Sequence, residues 1–186
     1  NASFLTDGAT AVLLSSEEKA KELGLTPKAE IVDYAFTGGD LYEELLLGPA
    51  YSIAEVLTKN NLTIDDIDVF EIHEAFAGQV LANLNALASA EWCKKQLGLD
   101  KPIGRIPMNK LNQWGGSLSI GHPFGATGGR LLTMAANRLQ HGGGKYAILA
   151  ACAAGAHGHA MLIKRYQSTE QKVKSAAKNI IKKAEG

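Results

Sequence analysis

The chain has 186 residues, of which 46% are hydrophobic and 20% are charged, and its formal net charge is zero. This length and composition predict one globular domain with its own hydrophobic core. Residues 172–186 carry five lysines and one glutamate, which leaves 14 basic and 18 acidic residues in the rest of the chain. This mildly acidic body argues against nucleic acid as the main partner, because phosphate binding needs a basic face.

The cysteine count and the apolar runs restrict the class of protein further. Cys93 and Cys152 are too few for a disulfide framework and lack the paired spacing of a zinc site, so they predict a reducing compartment. No apolar run is long enough to span a bilayer, so we expect a soluble protein. The first residue is not Met and no signal-peptide pattern follows it, which fits a chain that begins partway through a longer polypeptide.

The first elements in chain order alternate between strand and helix. The apolar run 9–15 predicts a buried strand, and Ser16 then caps a short helix that ends at Gly24. Residues 29–36 predict a second strand, and Pro49 opens a helix with one apolar face. Alternation of this kind favours an α/β fold.

The later elements continue this alternation. Residues 69–72 predict a strand and 74–90 a long helix, whose buried stripe is Val80, Leu81, Leu84 and Leu87. A further helix is predicted over 127–140, followed by strands 146–151 and 160–166. We therefore expect a mixed, mostly parallel sheet covered by helices, in which the last two strands pair antiparallel across a tight turn.

The composition changes after Tyr166, so we predict a main domain over 1–166 and a basic amphipathic tail over 167–186. Apolar residues of the tail recur at helical spacing and its opposite face is rich in lysine, which predicts a C-terminal helical tail. The simplest interpretation is a solvated terminal helix, and the alternative is contact with a membrane surface or a partner.

Two side chains suggest chemistry rather than packing. His122 lies in a turn rich in glycine and proline, and Cys152 ends an apolar strand just before another glycine turn. An imidazole and a thiol at the ends of such elements are suited to acid/base or thiolate chemistry. The glycines near His122 do not form a phosphate loop, because the required lysine is absent.

Metal binding has weaker support. His73 begins a zincin-like pattern, but Ala77 occupies the position of the second histidine. Cys152, His157 and His159 leave a metal-binding module open as an alternative, although their spacing matches no established site. We therefore predict no metal.

Four sequence blocks, taken in order, resemble the C-terminal half of thiolases. They are Asn1-Ala2-Ser3 with Asp7-Gly8-Ala9, His73-Glu74-Ala75-Phe76, Gly121-His122-Pro123 with Gly125-Ala126-Thr127-Gly128, and Cys152 with Gly155 and Gly158. The resemblance covers residues 1 to about 166. His73 in place of the usual asparagine, and alanine at 154, resemble the β-subunit branch of the mitochondrial trifunctional fatty-acid oxidation complex.

The resemblance implies a fold and a set of catalytic roles. Each thiolase half is a βαβαβαββ unit, and two halves enclose the active site. His122 would activate a nucleophilic cysteine, Cys152 would be the acid/base, and His73 would hold an oxyanion-hole water. Ala154, Gly155, Phe76 and Gly121 would line the oxyanion or substrate site. We also expect turn amides near Gly155 to lower the pKa of Cys152.

The implied activity is that of a 3-ketoacyl-CoA thiolase, an acetyl-CoA acyltransferase of fatty-acid β-oxidation. It needs no cofactor, since the CoA thioester is the substrate. The acyl-accepting cysteine belongs to the other half, and we expect Cys93 to be structural. The chain alone is therefore expected to be inactive.

The resemblance also implies partners and a location. The partners would be an N-terminal thiolase half, acyl-CoA and CoA, within a homodimer or a larger complex with a β-oxidation α-subunit. The location would be mitochondrial, with peroxisomes and the cytoplasm as alternatives. The alternative is a non-catalytic half-thiolase that acts as a binding or assembly module.

Overall fold

The computed structural model describes residues 1–168, in which helices cover both faces of one four-stranded sheet. This arrangement confirms the α/β fold class. The helices are α1 (Glu17–Glu22), α2 (Gly48–Lys59), α3 (Ala77–Ala88), α4 (Ala90–Leu97), α5 (Ser117–Ile120) and α6 (Thr127–Gly142). The strands are β1 (Ala29–Gly38), β2 (Val69–Ile72), β3 (Tyr146–Ala153) and β4 (His157–Arg165).

The sheet has the strand order β1-β4-β3-β2. β3 and β4 pair antiparallel across a short turn, as the sequence predicts, and β1 also pairs antiparallel with β4. Among the strands of residues 1–168, only β2 and β3 pair parallel, because the chain between them makes the long crossover that a parallel pair requires. The sheet of residues 1–168 is therefore mixed, but it is not mostly parallel.

Alternate residues of the strands serve two separate cores. Phe70 and Ile72 of β2 pack with α2 and α3 on one face of the sheet. Val69 of β2 and Leu149 of β3 pack with Leu131, Leu139 and other residues of α6 on the opposite face. The period of two along each strand thus fixes which side chain meets which helix layer.

Three further sequence-based predictions are wrong in this structure. Residues 9–15 form no strand, and Leu13 is 77% exposed, because no strand within residues 1–168 pairs with this segment. Leu81 is 55% exposed, although Val80, Leu84 and Leu87 of the same predicted stripe are buried. The long predicted helix is also divided at Ser89, whose side chain accepts a hydrogen bond from Trp92 N and so begins α4.

Among the described residues, no helix has the length and apolar character needed to cross a membrane. The predicted basic tail lies almost entirely outside the described residues.

The sheet meets the start of α2 at a contact between two glycine backbones. A Cβ on Gly158 of β4 would overlap the carbonyl group of Gly48, and a Cβ on Gly48 would overlap the backbone of Gly158. Gly158 pairs with Cys152 in the β3–β4 ladder. Because residue 158 has no side chain, β4 can lie against the start of α2, and this contact also positions the end of β3 that carries Cys152.

Substitution of Gly158 by alanine is expected to lower the free energy of unfolding by about 1–3 kcal/mol, because the added methyl forces two backbones apart. Gly38 lies opposite His157 in the neighbouring strand, and no atom lies within 4 Å of the place that an added methyl group would occupy there. Gly38→Ala is therefore the matched control, and urea denaturation measures both variants. Equal stabilities of the two variants would contradict the close contact.

Candidate active site

The candidate site lies where two parallel strands end. β2 ends at Ile72, which pairs with Ala150 of β3, and the next residue, His73, donates a backbone hydrogen bond to the Ala150 carbonyl at 2.8 Å. Cys152 follows Ala150 by two residues on the same strand. The carboxyl ends of parallel strands are where ligands bind in open α/β sheets. His73 and Cys152 therefore lie on neighbouring strands at the same edge of the sheet.

His122 reaches this edge from the loop between α5 and α6. Its ring lies against the ring of His73, with centroids 4.2 Å apart and planes inclined by 42°. Its backbone N–H donates to the Phe4 carbonyl at 2.9 Å, so residues near the beginning of the chain hold this loop. The structure thus brings the imidazoles of His73 and His122 together at the edge of the sheet where the strand that carries Cys152 also ends.

Gly121 is required in the loop for two reasons. Its φ of 87° lies in the left-handed region, and a Cβ would lie 2.5 Å from Cγ2 of Thr6. The chain can therefore pass Thr6 closely only with glycine before His122. Gly121 acts through the backbone path rather than through a side chain.

The other predicted substrate-binding residues are placed less closely. Ala154 and Gly155 form the exposed turn between β3 and β4, immediately after Cys152, and Gly155 has a φ of 88°. Phe76 precedes α3, pairs with Ala2 through its backbone, and is 48% exposed. The turn adjoins the acid/base candidate, whereas Phe76 lies at the margin of the site.

Sequence reasoning missed the polar residues that support the two imidazoles. His73 Nδ1 lies 2.9 Å from Oγ of Ser117, and Arg130 Nη2 donates to the same Oγ at 2.9 Å. Arg130 Nη1 donates to the Gly121 carbonyl at 2.8 Å. The sequence shows Ser117 and Arg130 on either side of the histidine motif, but no spacing rule indicates that they meet.

Glu74 holds α5 in place beneath this network. Its carboxylate accepts from Asn112 Nδ2 at 2.6 Å and from Leu118 N at 3.0 Å. A Cβ on Gly116 would overlap that carboxylate. The residue directly after His73 thus positions the short helix that carries Ser117.

Electrostatics keep both imidazoles neutral near pH 7. Burial, followed by repulsion from His122 in its protonated form and from Arg130, lowers the pKa of His73 to about 4. Burial, followed by the charge of Arg130, also lowers the pKa of His122. A neutral imidazole can accept a proton at one ring nitrogen and donate a hydrogen bond from the other.

The thiol of Cys152 behaves differently from the sequence expectation. Burial raises the pKa of Cys152, because a half-buried thiolate loses hydration that its own backbone hydrogen bond does not replace. The expected lowering by turn amides is therefore wrong for the described residues. Cys152 is a thiol, and hence a proton donor, near neutral pH.

The remaining thiol and histidines lie apart from this chemistry. Cys93 is fully buried in α4, with its Sγ 3.6 Å from the Leu87 carbonyl. His159 packs against the ring of Phe36 at 4.6 Å, and His157 is exposed at the end of β4. Within residues 1–168, no group of three or more His, Cys, Asp or Glu side chains is arranged to hold a metal ion.

Comparison with known proteins decides the family. The model of the thiolase C-terminal domain matches residues 25–165. The chain belongs to the thiolase family. A probable 3-ketoacyl-CoA thiolase of Caenorhabditis elegans is 59% identical over 89% of this chain and 37% of its own length. The mitochondrial trifunctional enzyme subunit beta of Bos taurus is 54% identical over 89% of this chain and 35% of its own length.

Solved thiolase structures have the same fold. A crystal structure of human mitochondrial 3-ketoacyl-CoA thiolase in complex with CoA superposes with a TM-score of 0.67 at 33% identity, covering 82% of this chain and 34% of that one. This chain therefore spans roughly a third of the length of the thiolases that it matches. The family match excludes residues 1–24, although Phe4 and Thr6 contact the His122 loop.

Replacing Arg130 by glutamine is expected to raise the pKa of both His73 and His122, because the positive charge that opposes their protonation is removed. Titration of the imidazole resonances by NMR measures this change. Arg105→Gln removes an equal charge from an exposed loop position and is the control. Identical titrations in the two variants would show that Arg130 does not act on the imidazoles.

Proposed function

We propose that this thiolase domain is the C-terminal catalytic half of a 3-ketoacyl-CoA thiolase, an acetyl-CoA acyltransferase of fatty-acid β-oxidation. One observation carries the proposal: His73 and His122 lie ring to ring beside the strand end that carries Cys152. The names of the matched relatives support the reaction and the substrate class. The nucleophilic cysteine comes from an N-terminal thiolase half.

The proposed reaction begins with cleavage of a carbon–carbon bond. The thiolate of the other half attacks C3 of the 3-ketoacyl-CoA, and the bond between C2 and C3 breaks. The electron pair of that bond forms the enolate of acetyl-CoA, which takes a proton from the Cys152 thiol. The shortened acyl group remains bound to the nucleophile as a thioester.

The second half of the reaction restores the residues. The thiol of free CoA gives its proton to the Cys152 thiolate, and the CoA sulfur attacks the acyl-enzyme thioester. The products are the shortened acyl-CoA and the free nucleophilic cysteine. The raised pKa of Cys152 suits the transfer of its proton to the enolate, because the group must be a protonated thiol when the enolate forms.

The two imidazoles act on the nucleophilic thiolate and on the enolate of this reaction. His122 takes the proton of the nucleophilic thiol and faces the thioester oxygen. His73 holds the water that donates a hydrogen bond to the enolate oxygen, in the role given to asparagine in most thiolases. The amides at Ala154 and Gly155 contribute a second set of donors.

The proposed partners and location of the chain are based on its relatives. The partners are an N-terminal thiolase half, acyl-CoA and CoA, within a homodimer or a larger complex that contains a β-oxidation α-subunit. The trifunctional enzyme relatives are named as mitochondrial, and we propose the same location. Contact of the basic tail with a membrane surface belongs to the same proposed assembly.

A non-catalytic half-thiolase is the second candidate. The observation in its favour is that Cys93 is fully buried, which leaves Cys152 as the accessible thiol of the chain. In this second candidate, the domain binds a thiolase half or an α-subunit without turnover.

Co-expression with an N-terminal thiolase half tests both candidates. The assembled pair is expected to cleave acetoacetyl-CoA or a longer 3-ketoacyl-CoA with free CoA. His122→Ala is expected to reduce kcat/KM by roughly 10²- to 10⁴-fold, the usual contribution of a general base. His141→Ala, at the exposed end of α6, is the control and is expected to retain activity. A pair that assembles without turnover would instead support the binding module.

A further inference from the structure

The two stacked imidazoles each bond through Nδ1 to a hydroxyl group, and the hydroxyls differ in their other partners. His73 Nδ1 meets Ser117 Oγ at 2.9 Å, and His122 Nδ1 meets Thr127 Oγ1 at 2.6 Å. A hydroxyl has one proton to donate and two lone pairs that accept. The other partner of each hydroxyl therefore decides which imidazole nitrogen carries the proton.

The second partner of Ser117 is a donor. Arg130 Nη2 gives a hydrogen bond to Ser117 Oγ at 2.9 Å, and a guanidinium group cannot accept one. Ser117 is also 1% exposed, so water does not take its proton. The acceptor left for the Ser117 proton is His73 Nδ1. The proton of neutral His73 then lies on Nε2.

The second partner of Thr127 is an acceptor. Thr127 Oγ1 donates to the Pro123 carbonyl at 3.3 Å, which uses the hydroxyl proton. Its lone pair then receives a proton from His122 Nδ1. Neutral His122 therefore carries its proton on Nδ1, and its Nε2 has a free lone pair.

We propose that Ser117 with Arg130, and Thr127 with the Pro123 carbonyl, hold the two stacked imidazoles in opposite neutral tautomers. His122 presents a basic Nε2, and His73 presents an Nε2–H donor. Ser117, Arg130 and Thr127 are thus positioning residues that act through the histidines. This inference rests on the proposed function and deepens it, because the proposed reaction needs one group that removes a proton and one that donates a hydrogen bond.

The charged groups around the pair are consistent with this arrangement. Arg130 faces both imidazoles and disfavours a second proton on either one. The carboxylate of Glu74 is held by Asn112 Nδ2 and by Leu118 N, and Glu71 forms an ion pair with Arg138. Within residues 1–168 these carboxylates thus accept from groups other than the imidazoles. The charged side chain that acts on both rings is the cation Arg130.

The tautomers are directly observable in the protein assembled with its N-terminal half. Nitrogen-15 NMR of histidine-labelled protein distinguishes protonated from unprotonated ring nitrogens, and a His73→Asn variant assigns the resonances. At pH 7 the expected result is a proton on Nε2 of His73 and on Nδ1 of His122. The same tautomer in both rings, or a doubly protonated His73, would overturn the inference.

Variants then connect the tautomers to turnover. Ser117→Ala is expected to mix the tautomers of His73 and to lower kcat by about 10- to 100-fold, the range known for removing the partner that orients a metal-binding histidine. Thr127→Val is expected to mix the tautomers of His122 and to lower kcat by a similar factor. Thr127→Ser, which retains the hydroxyl, is expected to keep the single tautomer and the kcat of the unchanged protein. KM should change little, because the affected interactions form in the transition state.

Ser119→Ala is the matched control. Ser119 lies in the same short helix as Ser117, but its hydroxyl bonds to the backbone of Gly116 and not to an imidazole. The inference would be overturned if Ser119→Ala lost tautomer selection and kcat to the same extent as Ser117→Ala. A general disturbance of α5 would then explain the effects of both variants.

The two proposals fail in different ways. Opposite tautomers in an assembled wild-type protein without turnover would support the hydrogen-bond assignment while overturning the thiolase reaction. Full turnover with identical tautomers would support the reaction and overturn the assignment.

Discussion

The arrangement of the candidate site depends on the parallel pairing of β2 with β3. The hydrogen bond from His73 N to the Ala150 carbonyl continues this pairing for one residue beyond β2. It fixes the backbone of His73 beside the strand that carries Cys152. A shift of register by one residue would turn every side chain of β2 to the other face of the sheet, so the buried pattern of Phe70 and Ile72 also protects the site.

The loop between α5 and α6, which carries His122, packs on this edge of the sheet. His122 belongs to no strand, and its place depends on the Phe4 carbonyl, on Gly121 and on the Thr127 hydroxyl. Burial and the charge of Arg130 then keep the two imidazoles neutral. Geometry and protonation state are thus set by the same few residues, as expected of a preorganised site.

Local patterns in the sequence predict much of this fold. The strand at 69–72, the caps of α1 and the start of α2 follow from apolar periodicity, Ser16 and Pro49, which act over a few residues. The run 9–15 has the same local pattern, but a strand also needs a neighbour, and periodicity contains no information about neighbours. Leu81 is predicted to be buried and is exposed, because the buried stripe of α3 is narrower than its apolar residues suggest.

Ordered motifs identify the catalytic candidates, whereas they do not identify the supporting residues. Ser117 meets His73 across 44 positions of sequence and Arg130 meets Ser117 across 13, and no helical or strand period connects them. The pKa of Cys152 differs from the sequence expectation for a related reason. The sequence shows the turn amides beside the thiol but not how much hydration the folded strand removes.

The beginning of the chain has a practical consequence for how this domain is delimited. Phe4 and Thr6 support the loop of His122, yet the family match begins at residue 25. A protein trimmed to that match would retain every motif residue from His73 to Cys152 while losing the backbone on which His122 rests. Recombinant versions of the domain should therefore include the first six residues if the histidine is to keep its place.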